Sequence, residues 1–201
     1  MTMRTSLVVL CIVLLAACRS SPPTQFFTLS VVSGNDGPLA SVPFPVQVAA
    51  VHLPPGLDRR QLVRMTGEHR VQISDTERWS AALDEMVRNV LSQDLAARLS
   101  QGRVILPDAP PPPDTGTLVV TIARFGPDAT GDVRLSGSWA LLTGGSNTPI
   151  LERDFQLTAG PAASADAMAA AMSRALGQLA STIASTLSQG DISIAPPRQR
   201  P

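Results

Sequence analysis

The sequence predicts an α+β fold: a single domain in which a mostly antiparallel or mixed β-sheet carries two main helices packed on one face. Two observations lead there. Between Leu118 and Leu157, three segments alternate apolar and polar residues and are joined by short Gly-rich turns. Before and after them, two longer segments place apolar residues at helical spacing.

The elements follow in order. Gln25 to Val32, "QFFTLSVV", is aromatic and β-branched and ends at the turn "SGNDG", as a strand does. Val46 to Leu53, "VQVAAVHL", is a second strand; Val46, Val48 and Ala50 share one face, yet Val51 and Leu53 opposite are apolar too. That predicts a strand covered on both faces, with His52 as a buried or half-buried structural histidine. Pro54-Pro55-Gly56 forces a turn, and Gln61–Met65 and Arg70–Ile73 read as a hairpin joined near Thr66-Gly67-Glu68. Ser74 with Glu77 three residues on reads as a capping box, predicting a helix from there to about Ser100 with Trp79, Leu83, Met86, Val90 and Leu91 as its stripe. Asp84–Arg88 and Asp94–Arg98 are i,i+4 pairs in the favourable order on that helix.

Arg103 to Leu106 is a short strand, and "PDAPPPPDTG" is a stiff surface loop, since proline removes donors and fixes φ. Leu118, Val120 and Ile122 share a face in the first alternating strand. Val133, Leu135, Gly137, Trp139 and Leu141 do so in the second, and Leu151, Phe155 and Leu157 in the third. Together they predict an antiparallel meander with one buried face. The final helix spans about Ala165 to Gln189, with Ser164 as N-cap and Gly190 as a C′ stop. Met168, Met172, Ala175, Leu176, Leu179, Ile183 and Leu187 line its core side. The other side, Ala and Ser with few charges, either meets a second surface or is an exposed Ala-rich face.

Composition excludes several classes. Every basic residue is Arg, and 16 of them balance 16 acids, so no basic surplus points to nucleic acid. No phosphate loop, dinucleotide fingerprint, H-E-x-x-H, C-x-x-C or G-x-S-x-G occurs. The histidines are His52 and His69 alone. Adjacent Asp84 and Glu85 diverge on a helix and make no carboxylate dyad. Asp58-Arg59-Arg60 reads as an exposed turn or an anion contact. No metal site or cofactor is expected, and nothing builds a case for an enzyme.

The N-terminus carries the most specific chemistry. Met1–Ser6 has Arg4 and no acid, and Leu7–Ala17 is unbroken apolar. About eleven residues are too few to span a bilayer, which takes roughly 20; a basic start, short apolar core and small residues make a secretory signal peptide. Leu15-Ala16-Ala17-Cys18 resembles a bacterial lipobox, in which the Cys thiol takes a diacylglycerol and becomes the first mature residue. The alternative is a plain signal peptide cut near a cysteine by chance. Cleavage before Cys18 also removes Cys11, the other cysteine of the chain, and leaves no disulfide partner. The expected organisation is a lipoprotein signal peptide at 1–17, a lipidated tether at 18–24, the domain at 25–194 and a tail at 195–201. The residue after the cysteine is Arg19, not the Asp that retains enteric lipoproteins at the inner membrane. This implies the periplasmic face of the outer membrane.

Beyond the lipobox, the mature chain resembles the PqiC-type, or ABC-transport auxiliary, lipoproteins. The likeness starts at Phe26-Phe27-Thr28-Leu29, where the family has a Tyr-Tyr-x-Leu-like start. It continues through Val46-x-Val48 and "LPPGLDRRQLVR" (Leu53–Arg64), and then "RWSAAL" (Arg78–Leu83), with Ala82 in place of the family's Pro. Ile122, Phe125, Gly131-Asp132-Val133-Arg134-Leu135 and Trp139 fit the second half. The resemblance implies a non-catalytic accessory subunit that accompanies an MCE-domain periplasmic protein and an inner-membrane permease. Such systems move lipids or hydrophobic molecules between the two membranes. It also implies a homo-oligomeric ring docking on the MCE tube. Leu57, Asp58, Arg59 and Arg60, following the Pro-Pro-Gly turn, are the expected partner interface, with a partner protein or a neighbouring subunit; equally, Asp58 and Arg59 could pair merely to rigidify the turn. A pilotin-like assembly lipoprotein of another outer-membrane machine is the alternative.

Overall fold

A computed structural model describes residues 22–32, 39–67, 69–143 and 148–190. Cys18, the apolar N-terminal run and the tail at 195–201 lie outside these residues. Among the described residues eight strands and two helices form two mixed sheets. The first sheet has β1 (Gln25–Phe27), β4 (Arg70–Trp79) and β3 (Gln61–Gly67) in that order. The second runs β5 (Val104–Ile105), β2 (Val46–His52), β6 (Gly116–Pro127), β7 (Asp132–Leu142) and β8 (Pro149–Pro161). β5, β2 and β6 are mutually parallel; β6, β7 and β8 form the expected antiparallel meander.

Helices α1 (Leu83–Ala96) and α2 (Ala165–Gln189) pack against each other and on the larger sheet. The α+β expectation holds, and so do the buried faces. Leu118, Val120 and Ile122 lie beside Leu141, Trp139 and Gly137, and this face is covered by α2, whose predicted stripe is buried throughout. Removing apolar surface of this kind from water contributes about 25 cal/mol per Å². Ser164 caps α2 by accepting the N–H of Ala167 at 3.1 Å. Gly190 closes the helix by donating to the Thr186 carbonyl, but at φ −79° it is not the left-handed C′ residue expected.

Three expectations are corrected. Ser74–Glu77 does not start a helix. The predicted local bond forms, Glu77 N–H donating to Ser74 Oγ at 3.0 Å, but it closes a bulge within β4. The register jumps from Val63–Ile73 to Gln61–Arg78, so Ser74 to Glu77 all sit opposite Leu62. The Glu77 carboxylate reaches across the hairpin to Arg64, and Trp79 is a core residue of β4 rather than of a helix. The helix begins nine residues later than Ser74, at Leu83, and ends at Ala96 instead of Ser100.

The second correction concerns β2. A bulge leaves Ala49 opposite no residue of β6, so the register passes from Val48–Leu118 to Ala50–Val119 and Val51–Val120. That extra residue turns Val51 onto the same helix-covered face as Val46 and Val48. Val46, Val48 and Val51, from both nominal faces, thus serve one core, and His52, expected buried or half-buried, is exposed. Third, Asp84 and Arg88 do not pair; Arg88 reaches Asp108 at 3.1 Å. Asp94–Arg98 is present at 3.5 Å.

Two polar clasps hold irregular segments. The buried Gln47 amide donates to the carbonyls of Leu106 and Ala109, both at 2.8 Å, and fixes the Pro-rich loop. Residues 28–32 cross the α1–α2 junction. There Ser30 N–H donates to Ser173 Oγ at 3.0 Å, and Val32 N–H to Asp94 Oδ1 at 2.8 Å. A Cβ on Gly177 would lie 2.9 Å from Val32 Cβ. The small residues at 173 and 177 of α2 therefore receive the chain's own N-terminal segment, while Ala170, Gln178, Thr182 and Ser185 face outward.

Candidate functional site

Among the described residues, no group of three or more His, Cys, Asp or Glu could hold a metal ion. The perturbed carboxylates have structural causes. Glu77 is held low by the Arg64 guanidinium. Asp128 is held well below the usual range by the Thr130 hydroxyl and Arg134. Burial pushes Asp94 up to about 6.

An apolar cleft of about 240 Å³ lies where the two sheets meet. The turn after β2 supplies Pro54, Gly56 and Leu57; the β3–β4 hairpin supplies Val63, Met65 and Val71; the end of β6, from Ala123 to Pro127, closes it. Hairpin register explains the apolar wall. Val63 pairs with Ile73 and Met65 with Val71, and alternation puts all four on one face. Val71 is 55% exposed and Ile73 45%, although Leu62 on the opposite face is fully buried. Under the cleft, Leu57, Val63 and Phe125 line a void of about 10 Å³ together with the core residues Trp79, Leu83, Met168 and Met172. Arg124 is the only polar side chain among the eleven residues lining it.

The predicted interface residues separate into two environments. Leu57 is half-buried and forms part of the cleft floor. Asp58, Arg59 and Arg60 project beside it, exposed. The Pro54 carbonyl accepts the N–H groups of Leu57 at 2.9 Å and Asp58 at 3.3 Å, and the Leu57 carbonyl accepts that of Arg59 at 2.8 Å. Backbone bonds therefore fix the turn; no Asp58–Arg59 ion pair is present among the described residues. Arg60 donates to the Ser80 carbonyl at 2.5 Å, tying the turn to the start of α1. The sequence reading did not single out Val63, Met65, Val71, Phe125 or Arg124 as a site. A signal was present: apolar residues on both faces of β3, and Val71 and Ile73 alternating with Arg70 and Gln72 in a hairpin with no evident cover.

An apolar cleft thus lies beside an exposed, charged turn. The chain belongs to the family of ABC-type transport auxiliary lipoprotein components, whose model matches residues 27–184. That is an accessory role in a transport system, with attachment to a membrane of the envelope. Among solved structures, the chain is similar to one described as an uncharacterized protein, with TM-score 0.69 and 23% identity, over 83% of this chain and all of that one. It is also similar to protein XCC0632 from Xanthomonas campestris, of family DUF330, with TM-score 0.60 and 18% identity, over 81% of this chain and 95% of that one. These likenesses concern the fold. Comparison with curated proteins gave no match.

Proposed function

We propose that this protein is a non-catalytic, lipid-anchored accessory subunit of an MCE/ABC-type system that moves lipids or other hydrophobic molecules between the inner and outer membranes. The observation that carries the reading is the family match across residues 27–184. The residues resembling the PqiC-type lipoproteins favour an MCE system within that family. Cys18 carries the acyl anchor, and the domain sits under the outer membrane's periplasmic face. There it meets the MCE-domain protein, as a homo-oligomeric ring, with Leu57, Asp58, Arg59 and Arg60 at the contact. A turn held by its own backbone suits this role, since its side chains are presented without a folding cost.

The test is affinity purification of the full-length protein from crosslinked membranes, for wild type and the double variant Asp58→Ala/Arg59→Ala. Wild type should recover an MCE protein and its permease. The variant should lose most of that recovery with its melting temperature unchanged, because exposed substitutions of this kind stay within about ±0.5 kcal/mol. Recovery of a different outer-membrane machine would favour the pilotin-like alternative and overturn the reading.

A further inference from the structure

We infer that the cleft between the β3–β4 hairpin and the end of β6 binds one acyl chain of a bilayer phospholipid, with the lipid phosphate on Arg124. The walls are aliphatic, and the one polar side chain in them is a cation. Arg124 makes no ion pair among the described residues; a guanidinium nitrogen lies 3.2 Å from the Met65 sulfur, at the apolar wall. A cation beside a hydrocarbon cleft, with no counter-ion among the described residues, complements an amphiphilic anion. Guanidinium suits phosphate in particular, because its fork of N–H groups can bond two phosphate oxygens at once.

Size and polarity narrow the occupant further. Sites that enclose drug-sized molecules start at about 300 Å³; at about 240 Å³ this cleft admits part of one chain, not a whole lipid. A peptide would bring backbone N–H and C=O groups that need partners when buried. The cleft walls offer no side-chain acceptor for them. A hydrocarbon chain has no such requirement.

Access follows from the topology. β1 is parallel to β4, with Gln25 opposite Glu77, so the chain preceding Gln25 points toward the turn between Gly67 and Arg70. β1 and β3 are two strand spacings apart, about 10 Å. Residues 18–21 add about 14 Å at most when extended. The inference rests on the anchoring proposed above for this access: a Cys18 lipid would place the hairpin, and the cleft it walls, next to the bilayer.

The test uses the full-length chain with p-benzoylphenylalanine in place of Val71, purified from a total detergent extract. It is mixed with ³²P-labelled phosphatidylglycerol in micelles, irradiated and mapped by mass spectrometry. One phospholipid should be attached at position 71. The same probe at Ile150, which is exposed on β8 away from the cleft, should give background only. Arg124→Gln should lower the adduct about tenfold, the loss expected for a bond to a charged group. Adducts to a second copy, to another protein or to the chain's own lipidated N-terminus, in place of the phospholipid, would overturn the inference. So would equal yields at 71 and 150, or no effect of Arg124→Gln. Membrane fractionation before extraction reads the anchoring separately: a membrane-bound protein without adduct negates this inference alone, and a soluble protein negates the anchor.

Discussion

Asp94, on a helix position with no solvent exposure, accepts the backbone N–H of Val32 at 2.8 Å through one carboxylate oxygen and leaves the other without a partner. Arg98 sits 3.5 Å from the carboxylate and donates to the Val32 carbonyl at 3.2 Å and to Ser181 Oγ at 2.8 Å. The clasp thus ties the segment following β1 to both helices. Burial outweighs these partners and raises the carboxyl to about 6. The unfolded chain releases this proton near pH 3.9. Between the two values the folded state holds more protons, so stability falls as pH rises from about 4 to about 6 and then levels off. Asp94→Asn keeps an acceptor for Val32 and does not titrate. Its stability relative to wild type should rise by on the order of 2 kcal/mol between pH 4 and pH 7 in denaturant unfolding. Parallel curves across that range would show that Asp94 does not titrate this way.

Gly137 lies in the middle of the larger sheet, paired with Ile122 on one side and Phe155 on the other. A Cβ there would stand 2.0 Å from the Thr121 carbonyl oxygen and 3.0 Å from Ile122 Cα, beside the β6 bulge. Both are backbone atoms of a central strand and cannot swing aside. Gly137→Ala should cost at least about 1–3 kcal/mol, a drop of several degrees in melting temperature for a chain this size. Gly67→Ala, where a Cβ meets nothing within 4 Å, is the control and should melt near wild type. Equal melting of the two variants would disprove the close-approach account.

The contrast between these sites shows what could be read from the sequence. α2 and the β6–β8 meander were legible because each carries one period over many residues, and tertiary contacts agree with it. Ser74–Glu77 mimics a helix start because its local bond is real but serves another element: the same hydroxyl that caps a helix also bridges a bulge. Val51 departs from its expected face for a related reason. One extra residue in β2 inverts every later side chain, and no local pattern announces it. The cleft was only half legible. Leu57 was marked by its turn, but its companions come from β3, β4 and β6, which meet only through the junction of the two sheets.

Asp128 organises the β6–β7 connection. Its carboxylate accepts Thr130 N–H at 2.9 Å, Thr130 Oγ1 at 2.6 Å and Asp132 N–H at 3.2 Å, and pairs with Arg134 Nε. These donors hold the carboxyl below its usual range, the Thr130 hydroxyl most of all. The sign is opposite to that of Asp94. The stabilisation is complete above the unfolded value near 3.9 and is lost as pH falls toward the folded one. Asp128→Asn should therefore melt below wild type at pH 7, with a gap that narrows at pH 3. A gap independent of pH would mean that the loop, and not the charge, sets the effect.

The last prediction concerns Cys18. No helix among the described residues is long and apolar enough to cross a membrane. The attachment proposed above is covalent lipid on Cys18. Each buried CH₂ contributes about 0.8 kcal/mol, so one acyl chain holds marginally and two or more hold stably. Cells fed an alkyne-tagged fatty acid should label the wild-type protein. Cys18→Ala should abolish the label while the domain keeps its melting temperature. The label, rather than fractionation alone, is the deciding readout. A variant that keeps its apolar leader could stay with membranes without any lipid, whereas a labelled Cys18→Ala protein would place the acyl group elsewhere and overturn the assignment.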